Sequence, residues 1–189
     1  MNEHIEIEYK ILISKNVFQQ ILNDYTIQED YIQTNYYFTH PLLQQKRYML
    51  RIREKKDQFE MTLKRPHAQH NIETNISLTK QDMEEILQHQ PFSNQITDIL
   101  KEENIPITQL QQEFSLTTHR YDIHLLEGIL SLDENTYLDS CDYELEFEVY
   151  DEKKGYEAFL KIIDRYGLSY QQNCLSKIQR VYEKLKMNK

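Results

Sequence analysis

Ile5-Glu6-Ile7-Glu8-Tyr9-Lys10-Ile11-Leu12-Ile13 places an apolar or aromatic residue at every odd position. A period of two marks a β-strand with one apolar face. Glu6, Glu8 and Lys10 then project together from the other face, because strand side chains alternate sides. On a single strand, two carboxylates and an ammonium in a row read as a solvated edge. The same design recurs along the chain, and its recurrence decides the fold.

Tyr48-Met49-Leu50-Arg51-Ile52-Arg53 sets Arg51 and Arg53 opposite Leu50 and Ile52. Gln58-Phe59-Glu60-Met61-Thr62-Leu63-Lys64 sets Glu60, Thr62 and Lys64 opposite Phe59, Met61 and Leu63, after a polar turn at Lys55-Lys56-Asp57. Residues 31–39 are β-rich and end at His40-Pro41, and a further strand is expected from Ile72 to Leu78. A long hairpin turned at Glu127-Gly128 has arms Phe114–Leu126 and Ile129–Leu138. Tyr143-Glu144-Leu145-Glu146-Phe147-Glu148-Val149 completes the series, with three glutamates on one face.

Helices fall between and after the strands. Ser14 caps one through about Tyr25, Thr79 caps one with Met83, Ile86 and Leu87 inward, and Ser93 caps one carrying Ile96, Ile99 and Leu100. Two amphipathic helices finish the chain, around Tyr156–Tyr166 and Leu175–Leu185. No repeat or linker interrupts this order. The pattern predicts a single α+β domain over residues 1–189, with about eight mostly antiparallel strands.

A net charge of -9 argues against nucleic acid as a partner, since a phosphate backbone needs a basic surface. It leaves room for a small polyanion in an enclosed basic site. With only 3 Gly there is no glycine-rich phosphate loop, so side chains must hold any phosphate. No apolar run approaches membrane-spanning length, so no membrane partner is expected. The opening MNEHIEIEYK lacks the basic start and apolar core of a signal peptide, and 2 Cys do not make a disulfide framework. A cytoplasmic monomer or homodimer is the expectation.

Glu144, Glu146 and Glu148 lie ~7 Å apart along their strand, so each neighbouring pair repels by roughly 2–3 kcal/mol at an effective dielectric of about 20. Their opposite face needs apolar cover, which the helices can supply. Such a sheet can curl into an eight-stranded barrel with a polar lumen and helices outside. The charged rows then face one another. Acids come from Glu6, Glu8, Glu60, Glu144, Glu146 and Glu148 with Asp133, and bases from Lys10, Arg51, Arg53, Lys64, Arg120, Lys177 and Arg180. So many ions in one interior call for a hard divalent cation on the carboxylates and a polyanion on the bases. Carboxylate oxygens suit Mg²⁺ or Mn²⁺.

These residues, in order, resemble the CYTH family, the triphosphate tunnel metalloenzymes. ExExK stands as Glu6-Ile7-Glu8-Tyr9-Lys10, RxR as Arg51-Ile52-Arg53, and TLK as Thr62-Leu63-Lys64. His119-Arg120-Tyr121, Leu132-Asp133-Glu134-Asn135-Thr136-Tyr137, the Glu144 to Glu148 strand and Ser176-Lys177 follow. The layout is most similar to the bacterial CYTH proteins of Gram-positive species. The resemblance implies a tunnel binding a triphosphate and one or two divalent metals. Where the family often has Y-F-D-T, this chain has Tyr37-Phe38-Thr39, and after TLK it offers Asn71-Ile72-Glu73-Thr74-Asn75.

The activity expected is divalent-metal-dependent hydrolysis of inorganic triphosphate or a small organic triphosphate. Lys10, Arg51, Arg53, Lys64, Arg120 and Lys177, with Arg180, would grip phosphate. Glu6, Glu8, Glu60, Asp133, Glu144, Glu146 and Glu148 would hold metal. Lys10 is the candidate general base. Tyr37 is read either as strand packing or, as in some thiamine-triphosphatase relatives, as a partner of that lysine. The alternatives are an adenylyl cyclase on the same tunnel and a non-catalytic polyphosphate- or nucleotide-binding module. His67-Ala68-Gln69-His70 reads as a loop with a chance metal-like spacing, and Cys174 as an inert thiol.

Overall fold

The structure, a computed structural model, describes residues 7–67 and 70–187. Among these, eight strands and six α-helices follow in the order β1 (Glu8–Ile13), α1 (Lys15–Asp24), β2 (Glu29–Thr39), α2 (Pro41–Lys46), β3 (Met49–Lys55), β4 (Gln58–His67), β5 (His70–Leu78), α3 (Lys80–Leu87), α4 (Gln95–Glu102), β6 (Gln111–Leu125), β7 (Gly128–Tyr137), β8 (Ser140–Val149), α5 (Glu152–Asp164) and α6 (Lys177–Met187). The strands are hydrogen-bonded in the order β1-β8-β7-β6-β2-β3-β4-β5. The expected eight-stranded α+β architecture is present, and the order has β1 and β5 at its ends among the described residues. Two compact units share it. One is Ile32–Thr117; the other combines Thr118–Lys189 with the described part of His4–Tyr31.

In the first unit, β3 and β4 turn through Lys56 and Asp57, whose φ angles of 50° and 59° are both left-handed. Two such residues give the twist that a tight antiparallel hairpin needs. The apolar row Leu50, Ile52, Met61 and Leu63 is buried against Met83 and Ile86 of α3 and Ile96 and Leu100 of α4. Thr79 caps α3 in a reciprocal box with Asp82, as its sequence predicts. Asn94, rather than Ser93, caps α4, closing a similar box with Thr97. The His40-Pro41 strand end opens a short helix instead, α2, with Pro41 in its first turn and His40 Nδ1 accepting from the Leu42 N–H. β4 runs to His67 and β5 resumes at His70, paired in register; Ala68 and Gln69 lie outside the described residues.

In the second unit, β1, β8 and β7 form successive antiparallel ladders. Ile11, Ile13, Leu130, Leu132, Leu145, Phe147 and Val149 form the buried face, covered by Phe18 and Ile21 of α1 and Phe159, Ile162 and Ile163 of α5. Ser14 caps α1 by accepting from the Val17 N–H. Gly128 serves a close approach rather than a turn. A Cβ there would lie 2.1 Å from the Glu148 carbonyl oxygen across the ladder. Among the described residues no helix is long and apolar enough to cross a membrane.

Candidate functional site

Ladder register builds the charged face of the second unit. Lys10 stands opposite Glu146 and Glu8 opposite Glu148 across β1–β8, while Asp133 stands opposite Glu144 and Asn135 opposite Asp142 across β7–β8. Cross-strand partners share a face, so these side chains converge. Ligand oxygens of Asp133, Glu144 and Glu146 lie within 4.8 Å of one another. At that separation each carboxylate pair repels by about 3–4 kcal/mol at an effective dielectric of about 20.

Three cations offset the repulsion. Arg120 clamps Asp133 through two 2.7 Å hydrogen bonds and donates a third, also 2.7 Å, to Glu146. Lys177 Nζ is 2.8 Å from Asp133 Oδ2 and 3.1 Å from Glu146 Oε2, and is paired with Glu144 Oε1. Arg180 donates to Glu144 Oε2 at 2.5 Å, to both Asp142 oxygens at 2.8 and 3.1 Å, and to the Leu175 carbonyl at 2.7 Å. Ser176 fixes the start of α6: its Oγ accepts from the Gln179 N–H while Gln179 Oε1 accepts from the Ser176 N–H. That reciprocal cap sets Lys177 at the first helical position. A cation there opposes the helix dipole, and the three carboxylates outweigh it.

The titration of the cluster follows from these contacts. Burial, then the hydrogen bond and negative charge of Glu146, push the Glu8 carboxyl up to about 7, although Lys10 pulls the other way. Burial works to raise Glu146, but Lys177, Glu8, Arg120 and Lys10 hold it well below the usual carboxylate range. Burial also works to lower Lys10, and Glu8, Glu146 and Glu144 outweigh it, so its pKa rises above the usual lysine value. A lysine held in its ammonium form is a cation and a hydrogen-bond donor. Burial, with Glu144 beside it, pushes the Cys174 thiol up to about 11, which leaves it inert.

The first unit carries a second charged row. Arg53 Nε donates to Asn35 Oδ1 at 3.0 Å, and Asn35 is its register partner on β2. Lys64 is ion-paired with Glu73, its register partner on β5. Arg51 stands opposite Thr62 across β3–β4. Arg51 Nε and Thr62 Oγ1 are both buried and have no hydrogen-bond partner among the described residues. Buried polar atoms are rarely left in that state. Glu60 stands opposite Arg53 on the same ladder.

The sequence-derived residues therefore fall into distinct groups. Asp133, Glu144, Glu146, Arg120 and Lys177 come together, with Glu8 and Lys10 beside them. Glu148 sits further along β8, opposite Glu8. Glu6 lies outside the described residues. Arg180 is almost wholly buried and bound to Asp142, Glu144 and a carbonyl, an arrangement that ties α6 to β8. Tyr37 is buried with its ring 5.0 Å from Phe114, the packing alternative. Asp142 and Glu73 were missed. Asp142 continues the alternating acidic row one step before Glu144, a signal present in the sequence; Glu73 becomes legible only once the β4–β5 register is known.

Comparison with known proteins gives the family. The CYTH domain profile matches residues 4–182. A Bacillus subtilis (strain 168) protein provisionally named a triphosphatase, YjbK, is 33% identical over 190 residues, covering 97% of each chain. A Bacillus halodurans crystal structure provisionally named an adenylate cyclase is 39% identical, with a TM-score of 0.79 over 93% of this chain and 96% of that one. A Hippeastrum protein, provisionally an adenylyl cyclase and described as having a dominant triphosphatase activity, shares the fold at 20% identity, with a TM-score of 0.78 over 95% of this chain and 96% of its own. With a profile match over nearly its whole length and a relative 33% identical along it, the chain belongs to the CYTH family.

Proposed function

We propose that this protein is a divalent-metal-dependent hydrolase of inorganic triphosphate or a small organic triphosphate. The observation that carries the reading is the interleaving of three carboxylates with Arg120 and Lys177 on one face of the second unit. Hard oxygen donors within 4.8 Å fit Mg²⁺ or Mn²⁺, and no thiolate or imidazole belongs to the set. A bound divalent cation would supply charge neutralisation and an oriented water. Asp133, Glu144 and Glu146 would hold it.

The chain's own bases do the rest. Arg120 presents a planar fork that suits phosphate oxygens as well as it suits carboxylate. Lys10, as an ammonium, stabilises charge that develops on a leaving phosphate. In the first unit, Arg51 Nε and Thr62 Oγ1 are buried polar atoms in want of a partner, which phosphate oxygens would supply. Arg53 and Lys64 are the first unit's other candidate phosphate ligands. Every assigned residue addresses phosphate or metal and none addresses a base or sugar, so transition-state binding should rest on the triphosphate alone.

The test is a phosphate-release panel over triphosphate, thiamine triphosphate and ATP, with Mg²⁺ or Mn²⁺, read alongside cyclic AMP. Faster turnover of bare triphosphate than of ATP supports the hydrolase. The adenylate cyclase name of the Bacillus halodurans relative keeps one alternative in view. Cyclic AMP as the main product from ATP would establish it in place of the hydrolase.

A further inference from the structure

Lys177 Nζ makes contact with one oxygen of each of Asp133, Glu144 and Glu146, and the same three carboxylates form the candidate cation site. The other oxygens around that point are largely taken. Arg120 uses both oxygens of Asp133, and Arg180 uses the second oxygen of Glu144. We infer that the Lys177 ammonium and a divalent cation compete for one position, so that the metal enters only as Lys177 leaves it. The inference rests on the reading that these carboxylates bind the metal.

The three cations of the cluster are unequal candidates to yield. Arg180 is almost fully buried and anchors a backbone carbonyl as well as two carboxylates. Arg120 holds Asp133 in a two-point fork from within β6. Lys177 is a compact, strongly hydrated charge on a flexible stem, at the very start of α6. It is also the residue whose place there runs against the helix dipole. Lys177 is the one that moves.

Charge supplies the direction. Asp133, Asp142, Glu144 and Glu146 are already met by Arg120, Lys177 and Arg180. A bare divalent cation therefore enters a nearly neutralised set and must expel one of its own charges. A triphosphate gives the displaced ammonium an anion to bind, and lets metal and lysine be satisfied together. Lys177 thus makes cation uptake depend on the anionic substrate, and disfavours metal without it.

The experiment is Mn²⁺ binding to the protein alone, followed by the electron paramagnetic resonance signal of free Mn²⁺. Lys177→Met removes the competing charge, and Lys177→Gln is the second neutral form should the first fold poorly by circular dichroism. Either neutral variant should bind Mn²⁺ roughly tenfold or more tightly than the unaltered chain, a change of about 1.4 kcal/mol. Lys177→Arg should stay near the unaltered affinity. Equal or weaker Mn²⁺ binding by folded neutral variants, with Glu146→Gln still lowering affinity, would overturn the competition and leave the metal site standing. Mn²⁺ binding indifferent to Glu146→Gln would remove the site itself, and the inference with it.

Discussion

Arg180 holds two acidic residues of β8 at once, Asp142 and the fully buried Glu144, and ties them to α6. Removing it leaves Asp142 without its ion pair and the buried Glu144 with Lys177 alone, which costs up to about 3–5 kcal/mol. Arg180→Met should therefore lower the unfolding free energy from urea titration by up to that amount, whereas a value within error of the unaltered chain would show the carboxylates are satisfied otherwise. Thr62 makes the opposite case. Its hydroxyl is buried and has no hydrogen-bond partner among the described residues, so Thr62→Val should leave stability unchanged or raise it by up to about 1 kcal/mol. Triphosphate affinity, measured by calorimetry, should fall in the same variant. Full affinity would mean Thr62 faces no phosphate. Which acids and bases exist was legible from the alternating rows. Which acid each base serves was not, because pairing depends on the β4–β5 register and on how α6 docks: Lys64 turns to Glu73, and Arg180 turns inward to Asp142.

At the level of elements, α5 lies against β8 through Gly155. A Cβ there would come within 2.4 Å of the Val149 side chain. Alanine improves helix propensity by about 1 kcal/mol, but overpacking costs typically 1–3 kcal/mol. Gly155→Ala should thus lower the melting temperature, and adding Val149→Ala should recover part of the loss by opening space. A raised melting temperature in the single variant would mean the helix shifts freely. The strands were readable because each repeats every second residue, and α1 and α3 because Ser14 and Thr79 sit where a cap must. The short helix α2 was hidden: His40-Pro41 ends a strand and opens a helix with the same residues. α6 was placed about two residues early at each end, since its capping signal, Ser176 with Gln179, lies inside a polar stretch.

For the molecule as a whole, a ligand that binds only the folded chain stabilises it by mass action, about 2.7 kcal/mol at a hundredfold excess over its dissociation constant. Inorganic triphosphate at millimolar concentration should raise the melting temperature well above the effect of monophosphate at equal ionic strength. Equal shifts would indicate general salt screening. The family was legible because its charged motifs occur in order from Glu6 to Lys177, and the profile match over residues 4–182 spans the same stretch. The substrate was not, since every residue the motifs assign reads phosphate or metal. The hydrolase reading stands most exposed in a ³¹P NMR time course of bare triphosphate with Mg²⁺ or Mn²⁺, repeated after chelation and with Glu146→Gln. It predicts loss of the triphosphate signals, with orthophosphate and pyrophosphate appearing together, and no loss after chelation or in the variant. Triphosphate signals that persist unchanged with either metal, in protein that binds the anion tightly, would contradict it and leave a binding module in its place.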